Sequence, residues 1–447
     1  MKIHKNIFAF VLLIFVVILS GCTSSESSNE SQNNKDDEAV KILFPTHYVG
    51  THPVAPYIAG VVNQFNEKYK GQYEVVIEEV PGDDGYVQKL KLWNATDNFP
   101  PIILLGRDAS TAKVIIENDK ILDLKPFIEA SPEWKSTVTD DSLKYNTVNG
   151  KVVGAPAISD RYIAMFYNKE YFEKAGIDQF PTTWEEFWDA CQKLQAAGIT
   201  PVSLNTQGDG WTTGLIHEAM IASKPGGLEF LSQKFPTNFE NDFFIETSKD
   251  IAKLFSYSTT DAIGADVNMS LNNFISGKTA MVANGPWFIA QMSDPKSAPE
   301  GFVDKVGVAL FPGDTVVSLD GSLYGYAITK GHPEEVVEGA AEFLKFESSP
   351  EIQKQKMIML GGIAPNVELS DEEIAKLSRL DTELRELVNS QMKQALPLYQ
   401  TNWATSVIHE AIPKQLPQLV LGEITAEEYA KILEEAAKKF EQSTSGE

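Results

Sequence analysis

Several short patterns in this 447-residue chain could carry chemistry, and each lacks a member the chemistry requires. His217-Glu218 and His409-Glu410 start like H-E-x-x-H, the helical zinc motif, but Ile221 and Pro413 stand where the second His must be. Ser276-Gly277-Lys278-Thr279 ends like a phosphate-binding loop, yet the Gly needed five residues before Gly277 is Asn272. Gly208-Asp209-Gly210-Trp211-Thr212-Thr213-Gly214 has Thr213 where a dinucleotide fingerprint needs its third Gly. No G-x-S-x-G elbow occurs. With 62 acidic residues, carboxylates can be paired on paper at will, so an acid pair for glycoside hydrolysis is an unspecific signal. The six His and two Cys form no C-x-x-C pair and no His tract, so neither a metal site nor a cofactor is expected. A net charge of -24 repels nucleic-acid backbones, which excludes DNA or RNA as partners.

Cys22 is the one residue whose surroundings define a modification. Lys2 and Lys5 precede an apolar run, Ile7 to Ile18, too short to span a bilayer but suited to a signal peptide. The run ends in Leu19-Ser20-Gly21-Cys22, which resembles the lipobox of bacterial lipoproteins. That resemblance implies a signal peptide at 1–21, an acylated Cys22 as mature N-terminus (palmitate among its acyl chains), and a protein held on the outer face of the bacterial cell membrane. Residues 23–38 contain no apolar side chain and read as a flexible tether. Cys191 is then alone, most simply a small buried residue in a helical pattern.

The elements that must position any site follow an α/β pattern. Val40 to Phe44, Tyr73 to Val80 and Pro101 to Leu105 read as strands, separated by helical faces at Tyr57 to Tyr69 and Gly85 to Trp93. Open α/β sheets bind ligands at the carboxyl ends of their strands, so His47 and Tyr48 after the first strand, and Arg107 and Asp108 after the third, lie at crevice edges. The turn-rich stretch Val148 to Pro156 reads as a crossing to a second lobe. Thr183 and Glu186 predict a capping box, and the last hundred residues predict helices over Glu334 to Glu347, Glu351 to Leu360, Asp371 to Gln394 and Thr425 to Phe440.

Four stretches together resemble the extracellular solute-binding lipoproteins of sugar-importing ABC transporters, the maltose-binding-protein type. They are Met165 to Ile177 with Pro181 to Phe187, Asn273 to Trp287, Tyr326 to Lys330 with Ala341 to Phe346, and Gly361 to Pro365. The resemblance implies a two-lobed periplasmic-binding-protein-like fold of type II, hinged around a cleft, with no catalysis. It places further crossings near Phe302 to Leu310 and Phe346 to Pro350, giving lobes of 39–150 plus 303–347 and 151–302 plus 348–447. It also implies a carbohydrate ligand, an ABC permease as partner and a monomer. An anchored glycoside hydrolase, or a polyol or peptide binder, is the competing reading.

A sugar needs aromatic faces for its C–H surfaces and planar polar groups for its hydroxyls. Trp287 ends the Asn284-Gly285-Pro286-Trp287 motif, where the resemblance implies a stacking ring, and Trp211 and Trp403 match two further aromatic positions. Asp160 and Arg161 lie where similar proteins place a ligand-contacting acid, with Arg161 replacing it. Asn284 and Tyr324, the latter after the Asp320 to Leu323 loop, complete the expected set.

Overall fold

The computed structural model describes residues 39–156, 158–318 and 324–445. The signal peptide, Cys22, the tether and the Asp320 to Leu323 loop lie outside them. From Ala39 onward the chain is one compact unit, built on separate sheets with separate cores.

Strand β1 (Val40–Thr46) alternates exposed Lys41 and Leu43 with buried Ile42 and Phe44, the period of a half-covered strand. It pairs in parallel with β2 (Tyr73–Glu79) along all seven residues. The crossover between them is helix α1 (Ala55–Lys68), which has Pro in its first turn and turns Tyr57, Ile58, Val61, Val62 and Phe65 inward. Helix α2 (Asp83–Thr96) leads to β3 (Ile102–Leu104), which lies beside β1. Asp108 then caps α3 (Ala109–Glu117) by accepting from the Thr111 amide at 2.7 Å. A hairpin of β4 (Thr147–Val148) and β5 (Lys151–Val152) precedes the crossing to the second sheet.

That sheet holds β6 (Tyr162–Asn168), β7 (Thr200–Val202), β8 (Thr279–Asn284), β9 (Val306–Ala309), β10 (Thr315–Ser318) and β12 (Gln394–Pro397). Every residue of β8 is buried, as a strand covered on both faces requires. Between β6 and β7 the helix Trp184–Ala196 begins with the predicted capping box of Thr183 and Glu186. The remaining strand, β11 (Tyr326–Ile328), returns to pair with β3.

Strand β9 hydrogen-bonds along β6, and β10 joins β6 to β12, so the stretch 306–318, which overlaps the crossing expected near Phe302 to Leu310, lies in the second sheet. Helix Pro350–Leu360 buries Ile352 and Leu360 in the core beneath β1 and α1. Beyond that helix, Ile363 bridges Asp160. The helix predicted across Asp371 to Gln394 breaks into Asp371–Ile374 and Arg379–Gln391, because Ser378 caps a new start by accepting from the Asp381 amide.

Candidate functional site

Strand β1 delivers His47 and Tyr48 to its carboxyl end, and the helix starts nearby converge on them. Asp83, in the first turn of α2, puts one carboxylate oxygen 3.1 Å from His47 Nε2 and 3.2 Å from Arg107 Nε. Burial, then the Arg107 charge, pushes the His47 pKa down to about 3 against the pull of Asp83. The imidazole is therefore neutral at physiological pH, and its contact with Asp83 is not an ion pair. Burial works to raise the Asp83 pKa, but Arg107 and His47 outweigh it and hold the carboxyl below its usual range.

A cavity of about 100 Å³ opens beside this cluster. Of the residues chosen from sequence, the fold brings Tyr48, Arg107, Arg161 and Tyr324 to its wall. It adds Tyr57, Tyr326, Glu347 and Lys356. Tyr57 donates its phenol hydrogen to Glu347 at 2.9 Å, tying the first turn of α1 to the end of helix Glu334–Glu347. Gly106 is required here: a Cβ on it would stand 2.2 Å from the Tyr324 carbonyl oxygen, which accepts from the Gly106 amide. Tyr57 could have been found by extending the strand-end rule one turn into the next helix. Glu347 and Lys356 give no such signal, since they look like any charged residue on a solvated helix face.

Arg161 connects this cavity to a second group. Its guanidinium lies 5.0 Å over the Trp287 ring, within range of a cation–π contact. Trp287 follows the end of β8, with its ring folded back so that a Cβ on Gly285 would meet it at 2.2 Å. The ring is half-buried and packs against all three of the largest apolar cores, so it sits where the lobes meet. Trp211, the first residue of helix Trp211–Ala222, lies 6.3 Å from it between ring centres. Its indole N–H donates to Asn284 Oδ1 at 3.2 Å, and the Gly285 amide donates to the same oxygen at 2.9 Å. Asn284 is thus a buried positioning group for the tryptophan pair.

Three of the expected residues stand off this cavity. Trp403 is 4% exposed and packs against Phe230, Phe239, Phe244 and Tyr399 in the core of the second lobe. Asp108 is buried away from the cavity; besides capping α3 it accepts from the Thr405 hydroxyl at 2.5 Å, while the Thr405 amide donates to Ser110 at 2.8 Å. His47 stands behind Tyr48 rather than on the cavity wall. The Asp160 backbone exchanges two hydrogen bonds with Ile363.

Asp209 was missed because it lies inside the Gly-rich decoy. Its carboxylate accepts from Gln400, and burial, aided by Asp83 and Asp84 and opposed by Arg107, pushes its pKa up to about 7. Further contacts cross between the halves: Lys234 donates to the Tyr324 hydroxyl at 3.2 Å and lies 4.2 Å over the Tyr145 ring. Among the described residues, the cavity wall carries no Ser, Cys or His and a single carboxylate, Glu347. Such an arrangement can grip a ligand by rings, cations and hydroxyls. No group of three metal-ligating side chains occurs among the described residues.

Residues 60–380 match the family model for bacterial extracellular solute-binding protein. A probable sugar-binding periplasmic protein of Mesorhizobium japonicum is 25% identical over 170 residues, 37% of this chain and 40% of the relative. Lipoprotein LipO of Bacillus subtilis is 26% identical over 198 residues, 44% of this chain and 37% of the relative. The chain thus spans about two fifths of the length of these curated relatives. Among solved structures, a chitin oligosaccharide binding protein superposes with a TM-score of 0.77 at 21% identity, covering 90% of this chain and 98% of that one. This likeness is one of fold: two lobes around a cleft.

Proposed function

Since the chain belongs to the bacterial extracellular solute-binding proteins, we propose that it captures a carbohydrate, an oligosaccharide in particular, outside the cell and delivers it to the permease of an ABC importer. The observation that carries this reading is the Trp287 ring at the junction of the lobes, with Trp211 beside it and Arg161 across its face. Rings serve the C–H faces of a sugar, and the cation and phenols of the adjoining cavity serve its hydroxyls. Sugar-sized sites occupy about 300 Å³ or more, so a cavity of about 100 Å³ admits an oligosaccharide only when the lobes part. Our reading divides the lobes at 153–161, between Ser318 and Tyr326, and after Leu360. It also has Cys22 lipidated after signal-peptide removal, holding a monomer outside the membrane.

An anchored glycoside hydrolase is the alternative from a different class, and it would work by a pair of carboxylates. A polyol or peptide ligand is the reading to test against. A thermal-shift screen with mono- and oligosaccharides, polyols and short peptides decides among them, because a ligand of the folded state raises Tm. We expect a shift with one oligosaccharide series and no hydrolysis, and a loss of at least tenfold in affinity in Trp287→Ala. A shift with peptides or polyols alone sinks the sugar assignment, and released sugar sinks the binding-only role.

A further inference from the structure

With the lobes divided as above, two lysines reach across the molecule in opposite directions. Lys234, in the second lobe, puts its ammonium 4.2 Å over the Tyr145 ring and 4.5 Å over the Tyr324 ring, besides donating to the Tyr324 hydroxyl at 3.2 Å. Tyr145 closes helix Asp140–Tyr145, and Tyr324 packs on the core that contains Ile103 of β3 and Ala327 of β11. Lys113, on α3 of the first lobe, makes the return contact: its ammonium is 5.9 Å over the Phe235 ring and 5.7 Å over the Phe440 ring. Those rings stand 4.9 Å apart and pack against the core of the second sheet. All four distances lie within reach of a cation–π attraction. Burial draws the Lys234 pKa down to about 8, which leaves the ammonium mostly charged at pH 7. The backbone is bent to make this pairing. Phe235 has φ +54°, the left-handed region that a bulky side chain seldom takes. Asn402 holds it there, its carbonyl accepting from the Phe235 amide at 2.6 Å while its side-chain amide donates to the Leu231 carbonyl at 3.1 Å. Backbone strain kept in place by surrounding bonds marks a conformation that is put to use. Here it gives the neighbours Lys234 and Phe235 one contact each with the opposite lobe.

We propose that Lys113 and Lys234 form a two-way clasp that holds the lobes together and sets how readily they part in the unliganded protein. The inference uses the division of the lobes in the reading above and is independent of which ligand they hold. Neither lysine lines the cavity, whereas Tyr324 does, so the clasp and the cavity wall share one ring. Parting of the lobes gates both entry and release of a ligand, and the clasp therefore acts on those rates from outside the site.

The test is hydrogen–deuterium exchange of the full-length chain in detergent, without ligand, read at the Thr405 amide and along β8. The Thr405 amide donates to Ser110 of the first lobe, so it exchanges when the lobes part. Strand β8 is buried throughout and exchanges only when its own lobe unfolds. Lys234→Met and Lys113→Met keep an apolar stem and remove the charge. The Lys113 pair with Glu117 at 3.9 Å lies within α3 and has no part in the lobe contact. We expect each variant to speed exchange at Thr405 about two- to fivefold, and the double variant by about the product, with β8 unchanged. Lys234→Arg, which keeps a cation over both rings, should stay near the parent rate. Unaltered exchange at Thr405 in the double variant overturns the clasp. Faster exchange at Thr405 and β8 alike overturns it too, since the lysines would then serve overall stability. A Lys234→Arg protein as fast as Lys234→Met overturns it as well, by showing that the charge is not what holds.

Discussion

Replacing His217 by Gln should make the protein less sensitive to acid, by an amount that follows from where the ring sits. His217 is a half-buried residue of helix Trp211–Ala222, 5.2 Å from the Phe244 ring, and its enclosure pushes its pKa from 6.5 to about 3. The Thr247 hydroxyl already donates to the Phe243 carbonyl at 2.9 Å, so His217 Nε2, 3.1 Å from that oxygen, is the protonated nitrogen of a neutral ring. Because the folded pKa lies below the unfolded one, the unfolded chain binds more protons below pH 6.5, and stability is lost as pH falls from 6.5 toward 3. At pH 5 the linkage relation gives a loss of about 2 kcal/mol from this one residue, against almost none at pH 7.5. Gln can keep the bond to Thr247 without titrating. Urea unfolding of both proteins at pH 7.5 and pH 5 isolates the effect, since the opposing contributions of Asp209 and Asp381, with pKa values raised to about 7 and about 6, cancel in the difference. The gap between the two proteins should move by about 2 kcal/mol in favour of the Gln variant as the pH is lowered. A gap that stays constant would refute the reasoning and show that the ring is charged or hydrated in the folded state.

Gly285→Ala should lower ligand affinity nearly as much as removing Trp287, because the new methyl would stand 2.2 Å from the indole and displace it; titration with the ligand found in the screen checks this, and unchanged affinity removes Trp287 from the site. Thr405→Val deletes the hydroxyl that donates to buried Asp108 and should cost about 1–2 kcal/mol, read as a lower urea midpoint at unchanged slope. Tyr57→Phe leaves Glu347 without that donor and should cost about 1 kcal/mol, visible as a lower Tm of the unliganded protein.

How far the sequence reaches depends on what kind of information each feature needs. The capping box at Thr183 and the helix at Glu334–Glu347 are local, set by residues within a turn or by an apolar stripe, and both stand where the pattern puts them. Strands β1, β2 and β3 are legible for the same reason. The course of 306–318 is not: its strands are short, and only pairing with β6, more than a hundred residues earlier, decides which sheet receives them. The same limit divides the tryptophans. Trp287 and Trp403 both follow short polar stretches, and nothing local separates a ring at a junction of cores from one enclosed by Phe230, Phe239 and Phe244. Strand ends point to Tyr48 and Arg107, whereas Glu347 and Lys356 reach the cavity only because their helices pack on α1. Asp209 belongs to neither class, since its perturbation arises from burial, opposed by Arg107 and aided by Asp83 and Asp84, once the fold has closed around it.

The placement of Cys191 has a practical consequence. It is fully buried among the apolar side chains of the second lobe, and burial pushes its thiol pKa up to about 12, so maleimides and other thiol reagents will find little thiolate there. It is also the sole cysteine after residue 22. A pair of cysteines introduced on exposed faces of α2 and of helix Asp242–Leu254 would therefore accept donor and acceptor dyes without background labelling, and energy transfer between them would follow the separation of the two halves, one molecule at a time, as ligand is added.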